Sequence, residues 1–145
     1  MSSIIVGVDG SNHSIDALEW AMKEAAIRQA TVTIVTVNST PANPWTGNPA
    51  VLDTDSAHEQ EMRQAAEDLT RKAASQIGDA QPASVTVRAI TGFPASELIE
   101  ASRGADLVVV GSRGAGGFAR LVMGSVSGQV VQHAHCPVAV IPAER

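Results

Sequence analysis

The stretch from Ala105 to Pro142 constrains the fold more than any other part of this 145-residue chain. The aliphatic run Leu107-Val108-Val109-Val110 passes straight into Gly111-Ser112-Arg113-Gly114. A helical pattern then opens at Gly124-Ser125, and a second aliphatic run, Val138-Ala139-Val140-Ile141, follows it. Strand, glycine-rich loop, helix and strand in that order make a βαβ unit, which demands a parallel sheet. The loop also has a chemical consequence. Glycines let backbone N–H groups approach a ligand without hindrance from a Cβ, and the helix N-terminus adds unpaired donors and a partial positive charge. Phosphate is the anion that such a loop suits.

The same alternation extends upstream. Ile4 to Val8 reads as a buried strand, and Asp9-Gly10-Ser11-Asn12 as the turn and N-cap region of a helix from Ser14 to Gln29. Ile15, Leu18, Met22 and Ala25 or Ala26 form the sheet-facing stripe of that helix. Val32 to Val37 alternates threonine with aliphatic residues, a pattern also found in half-buried antiparallel strands, but its place after a helix favours a parallel one. Beyond it come a charged helix from Ala57 to Gln76, a strand from Val85 to Ile90, a helix from Pro94 to Ser102 and a strand from Ala105 to Val110. A helix from Ser125 to His133 and a strand from Val138 to Ile141 close the series.

The order βαβαβαβαβ, with right-handed crossovers, predicts an α/β fold: a doubly wound, Rossmann-like, five-stranded parallel sheet in strand order 3-2-1-4-5, with helices on both faces. A chain of this length makes one domain, residues 1–145. The ligand crevice of such a sheet lies at its switch point, outside the carboxyl ends of the first and fourth strands, where the Asp9 turn and the Gly111 loop arrive.

Composition narrows the partners. A net charge of −5 and a pI near 5.2 exclude a general role on nucleic acid or anionic membrane, so any phosphate is held locally, by backbone donors with Arg113 or Arg120. The lone Cys136 allows no intramolecular disulfide and suits a reduced, cytoplasmic protein. Met1-Ser2-Ser3 leads directly into strand residues, and no apolar run approaches the roughly 20 residues of a membrane span, so neither a leader nor an anchor is expected.

Several other chemistries find no support. No lysine completes a Walker-type loop, and a dinucleotide fingerprint forced onto Gly114 to Ala119 lies too late in the chain for the βα units that should follow. His13, His58, His133 and His135 do not have the spacing of a metal site, and no nucleophile elbow is present. Asn38 to Asp55, with Pro41, Pro44, Trp45 and Pro49, is a long turn-rich stretch of the kind that forms lids. Trp45 within it has two readings, as a cover for a base or as an anchor for its own loop.

Gly111, Gly114, Gly124 and Ser125 fit the pattern G-x2-G-x9-G-[ST]. Together with Val126-Ser127 and His135 to Pro142, they resemble the C-terminal block of the universal stress protein family, in its ATP-binding branch. Ile4 to Ser11 is similar to that family's first strand with its acidic residue, Val32 to Val37 to its second strand, and Gly92-Phe93-Pro94 to its Gly-x-Pro turn. The resemblance covers essentially the whole chain and is weakest over Asn38 to Ser56.

It implies a nucleotide site made of Asp9, Gly10, Ser11, Val37, Gly111, Ser112, Arg113, Gly114, Gly124, Ser125, Val126 and Ser127. Val37 would present its backbone N–H and C=O to the adenine edge. The glycines and Val126 would offer N–H groups to the phosphates, and the serines their hydroxyls. Asp9 would accept from ribose hydroxyls or meet Mg2+ through a metal-bound water, with an Asx-turn or helix cap as its competing role.

The function so implied is ATP binding by a stress-response or signalling module whose state follows nucleotide occupancy. Two alternatives stay open. One is slow ATP hydrolysis or autophosphorylation resting on Asp9, the serines and an arginine, with no general base or lysine clamp in evidence. The other is AMP or cyclic AMP as the ligand in place of ATP. The last strand, Val138 to Ile141, lies at a sheet edge and so invites pairing, although Pro137 and Pro142 bracket it. The resemblance implies a homodimer through that edge.

Overall fold

The aliphatic runs assemble into a single parallel sheet in the order β3-β2-β1-β4-β5, as the sequence predicts. The computed structural model describes residues 2–9, 11, 14–39, 55–112 and 124–142. Its elements are β1 (Ser3–Val8), α1 (Ser14–Arg28), β2 (Thr31–Ser39), α2 (Asp55–Gln76), β3 (Ser84–Gly92), α3 (Pro94–Ala101), a 3-10 turn (Ser102–Gly104), β4 (Leu107–Gly111), α4 (Ser125–His133) and β5 (Val138–Ile141).

The strand alternation divides the core in two. Ile4, Val6, Val32, Ile34, Leu107 and Val109 face α1 and α2, where Leu18, Met22, Ala25, Ala66 and Ala73 cover them. Ile5, Val35, Val108 and Val110 face the other way, under Leu98 of α3 and Val130 of α4. With both faces covered, β4 reads as an almost unbroken apolar run, which is why it was recognisable in the sequence.

Boundaries shift where side chains do other work. β4 starts at Leu107 because Asp106 clasps the amino end of β1: its N–H donates to Ser3 O at 2.8 Å, and its carboxylate accepts from Ser3 N–H at 2.7 Å. α3 stops at Ala101 because the buried Ser102 hydroxyl donates to Ile99 O at 2.5 Å and accepts from His135 N–H at 2.9 Å, tying the end of α3 to the approach to β5. Gly7 marks the tightest helix-to-sheet approach. A Cβ at this position would lie 2.8 Å from Leu98 Cδ1, so the absent side chain lets α3 settle onto β1.

Among the described residues, no helix is long and apolar enough to cross a membrane.

Candidate nucleotide site

Three neighbouring strands, β2, β1 and β4, bring the predicted residues to one end of the sheet. β1 ends at Val8 and hands the chain to Asp9, while β4 runs alongside it through the pairs Ile4–Leu107 and Val6–Val109 and ends at Gly111. This is the crevice position expected at a topological switch point.

Asp9 organises the first turn. Its Oδ1 accepts from Ser11 N–H at 2.9 Å, from the Ser11 hydroxyl at 2.5 Å and from the Ser14 hydroxyl at 2.7 Å, and its own N–H donates to Ser14 Oγ at 3.1 Å. The Ser11 N–H contact is an Asx-turn, and the carboxylate sits by the positive end of α1. The structural role of Asp9 is therefore built in. Ser11, which the sequence made available as a cap, instead directs its hydroxyl to Asp9 and accepts Ser14 N–H on its carbonyl at 3.1 Å.

The second turn is closed by backbone bonds. Ser112 N–H donates to Ile141 O at 2.9 Å, and Gly124 N–H donates to Ser112 O at 3.1 Å. The two ends of the glycine-rich loop thus meet, and α4 begins directly beside the end of β4. Gly124 is the N-cap of α4, at φ −56° and ψ 153°, and no side chain caps it. The first N–H groups of the helix, from Ser125 onward, therefore lack the usual side-chain acceptor and carry the positive end of the helix dipole. Ser125 is exposed, Val126 packs partly against Val130 and its cluster, and Ser127 is buried with its hydroxyl donated to Gly124 O at 3.0 Å.

Val37 lies in β2 beside Ile90 of β3. The β1–β2 ladder ends at Val8–Thr36, whereas the β2–β3 ladder continues to Ser39–Gly92. Val37, Asn38 and Ser39 consequently outrun β1, and the side of β2 that faces the crevice is not taken up by its neighbour. This overrun was not legible in the sequence. Asn38 and Thr36, both buried and polar, were not singled out from it either. Predicted site residues Gly10, Arg113 and Gly114, along with Asn12, Trp45 and Arg120, lie outside the described residues.

Elsewhere, a cleft of about 210 Å³ beside α3 is lined by Val35, Arg88, Ile90, Glu97, Glu100 and Ala101, none of them a predicted site residue. Cys136 is half-buried, and its thiol pKa is pushed up, first by burial and then by the charge of Asp106, against a backbone hydrogen bond at Val108 that works the other way. A neutral thiol of this kind is a poor nucleophile.

A model of the universal stress protein family matches residues 1–142. The chain belongs to that family. It is 35% identical over 141 residues to the universal stress protein Rv2005c of Mycobacterium tuberculosis and 37% identical over 145 residues to Rv2624c of the same organism. Each match covers 97% of this chain and 48% of the relative. The chain spans about half the length of these curated relatives.

Among solved structures, it is similar to the universal stress protein UspA from Lactobacillus plantarum, at 24% identity and a TM-score of 0.76, with 97% of each chain covered. It is also similar to a universal stress protein in complex with cAMP, at 24% identity and a TM-score of 0.70, covering 99% of this chain and 98% of the other. A universal stress protein from Archaeoglobus fulgidus in complex with dAMP matches at 24% identity and a TM-score of 0.60, with coverage of 97% and 98%. At these identities, the likeness establishes the Rossmann-like universal stress protein fold.

Proposed function

We propose that this universal stress protein binds an adenine nucleotide, ATP or its monophosphate relatives AMP and cyclic AMP, across the carboxyl ends of β2, β1 and β4, and that nucleotide occupancy sets its state as a stress-response or signalling module. One observation carries the reading: the Gly124–Ser112 hydrogen bond of 3.1 Å, which draws together the ends of the G-x2-G-x9-G-[ST] loop next to a helix start with no side-chain cap. Phosphate oxygens are the natural acceptors for such donors. Family members of the same fold with cAMP and with dAMP bound support an adenine nucleotide as the ligand class.

In this reading, the N–H groups of Ser125 and Val126 hold phosphate together with Gly111, Ser112, Arg113 and Gly114 of the glycine-rich loop, while the Gly124 N–H stays on Ser112 O. Val37 offers backbone groups to the base. The Asp9 carboxylate, steadied by Ser11 and Ser14, accepts from the ribose and meets any Mg2+ that accompanies a triphosphate through a metal-bound water. The module works in the cytoplasm as a homodimer paired through β5, the sheet edge whose four residues are all only half-buried.

The experiment is to denature protein purified without added ligand and identify the released nucleotide by mass. Adenine nucleotide near one per chain is the expected result. Its absence, together with no binding of added ATP, AMP or cyclic AMP, would overturn the reading.

A further inference from the structure

Thr36 and Asn38 lie on the same face of β2 at its carboxyl end, 1% and 9% exposed, and neither side chain has a hydrogen-bond partner among the described residues. Burying an amide or a hydroxyl without a partner is costly, and such groups in folded proteins call for an explanation. Simple turn chemistry does not explain Asn38, because β2 continues through it to Ser39, in register with Thr91 and Gly92 of β3. Its same-face neighbour Thr91 has its hydroxyl committed elsewhere, to Glu59 Oε2 at 2.6 Å. Asn38 also stands in the part of β2 that outruns β1, one residue past Val37 and two past Thr36, which is level with Val8 just before the Asp9 turn.

We infer that Asn38 reads the identity of the base, an inference that rests on the nucleotide reading above and extends it to base selectivity. A carboxamide presents one N–H donor and one carbonyl acceptor side by side. That pair complements the 6-amino group and N7 of adenine, whereas a 6-oxopurine offers two acceptors on the same edge. The site therefore selects 6-aminopurine over 6-oxopurine nucleotides, and the orphaned carboxamide is satisfied only when the right base is in place. The Thr36 hydroxyl, able to donate or accept, is a positioning group that keeps the floor beneath Asn38 polar.

The test is calorimetric titration of the full chain with AMP, IMP and ribose 5-phosphate, which share the sugar phosphate and differ in the base. The wild-type protein should prefer AMP to IMP by about ten- to hundred-fold. Asn38→Leu and the smaller Asn38→Ala each remove both polar atoms. Each should cut the AMP:IMP ratio about ten-fold while leaving ribose 5-phosphate binding unchanged. If Asn38→Leu does not fold, Asn38→Ala carries the test alone. A ratio kept at its wild-type value in the folded variants would overturn the role of Asn38 and leave nucleotide binding standing. Wild-type protein that binds ribose 5-phosphate and AMP equally would refute base reading, and wild-type protein that binds none of the three would refute the nucleotide site along with it.

Discussion

The Ser14 hydroxyl donates to Asp9 Oδ1 at 2.7 Å and accepts from Asp9 N–H at 3.1 Å, so the first residue of α1 and the residue that follows β1 hold each other in place. The crevice wall and the helix start are one unit. A ligand group that binds the Asp9 carboxylate meets a side chain already fixed in direction, which lowers the ordering cost of binding.

Asp9→Ala removes the acceptor of three hydrogen bonds and should lower stability by about 1.5–3 kcal/mol in urea denaturation, because bonds to a charged group are among the stronger ones. Asp9→Asn keeps an acceptor oxygen for the Asx-turn and should cost less than half as much. Equal losses in the two variants would mean that charge at the helix start, rather than the hydrogen bonds, provides the stabilisation.

Gly7→Ala drives a methyl group to within 2.8 Å of Leu98 Cδ1 and should destabilise by about 1–3 kcal/mol. Leu98→Ala alone opens a cavity, at about 2–5 kcal/mol. The double variant should be more stable than the sum of the two losses predicts, since each change relieves the other. Strict additivity in chemical denaturation would show that α3 moves away from β1 freely.

Cys136, with its pKa raised by burial and by Asp106, should alkylate more slowly than a free thiol at pH 8. The folded chain holds the thiol proton more tightly than the unfolded chain does. This contribution to stability is fully present below the ordinary thiol pKa and is lost as pH rises through the raised value. Iodoacetamide kinetics read the first effect, and thermal melts across the alkaline range read the second. A rate at or above that of free cysteine would contradict the assignment.

β5 is an edge strand whose outer side has no partner within the described chain, and Val131 of the adjacent α4 is 45% exposed. Light scattering at micromolar concentration should report a dimer, and Val140→Arg should shift it toward monomer. A monomeric wild-type protein, with and without nucleotide, would remove the edge-pairing proposal.

Much of the fold was legible because burial on both faces leaves strands such as Leu107–Val110 with no polar interruption, and because glycines mark the turns between elements. α4 and β5 fall at their predicted bounds. What the sequence hid depends on neighbours. The extension of β2 to Ser39 comes from its ladder with β3, which no local pattern encodes. The threonine alternation of β2 is shared with half-buried antiparallel strands, so the parallel reading rested on its place after a helix, and the burial of Thr36 on the face that α1 and α2 cover shows only in the packed structure. Likewise, Ser14 looked like the plain first residue of a helix. Its partnership with Asp9 depends on β1 and α1 meeting at a tight turn.

Binding of adenine nucleotide at the closed glycine-rich loop is tested most directly by titrating AMP and ATP into nucleotide-free chain and into a Gly124→Leu variant whose melting temperature confirms that it is folded. Leucine at the N-cap of α4 puts a side chain where the helix donors face the ligand. The account predicts saturable binding by the wild-type protein, weakened about a hundred-fold or more in the variant, a loss of roughly 2.7 kcal/mol. Equal affinity in the two proteins would contradict it.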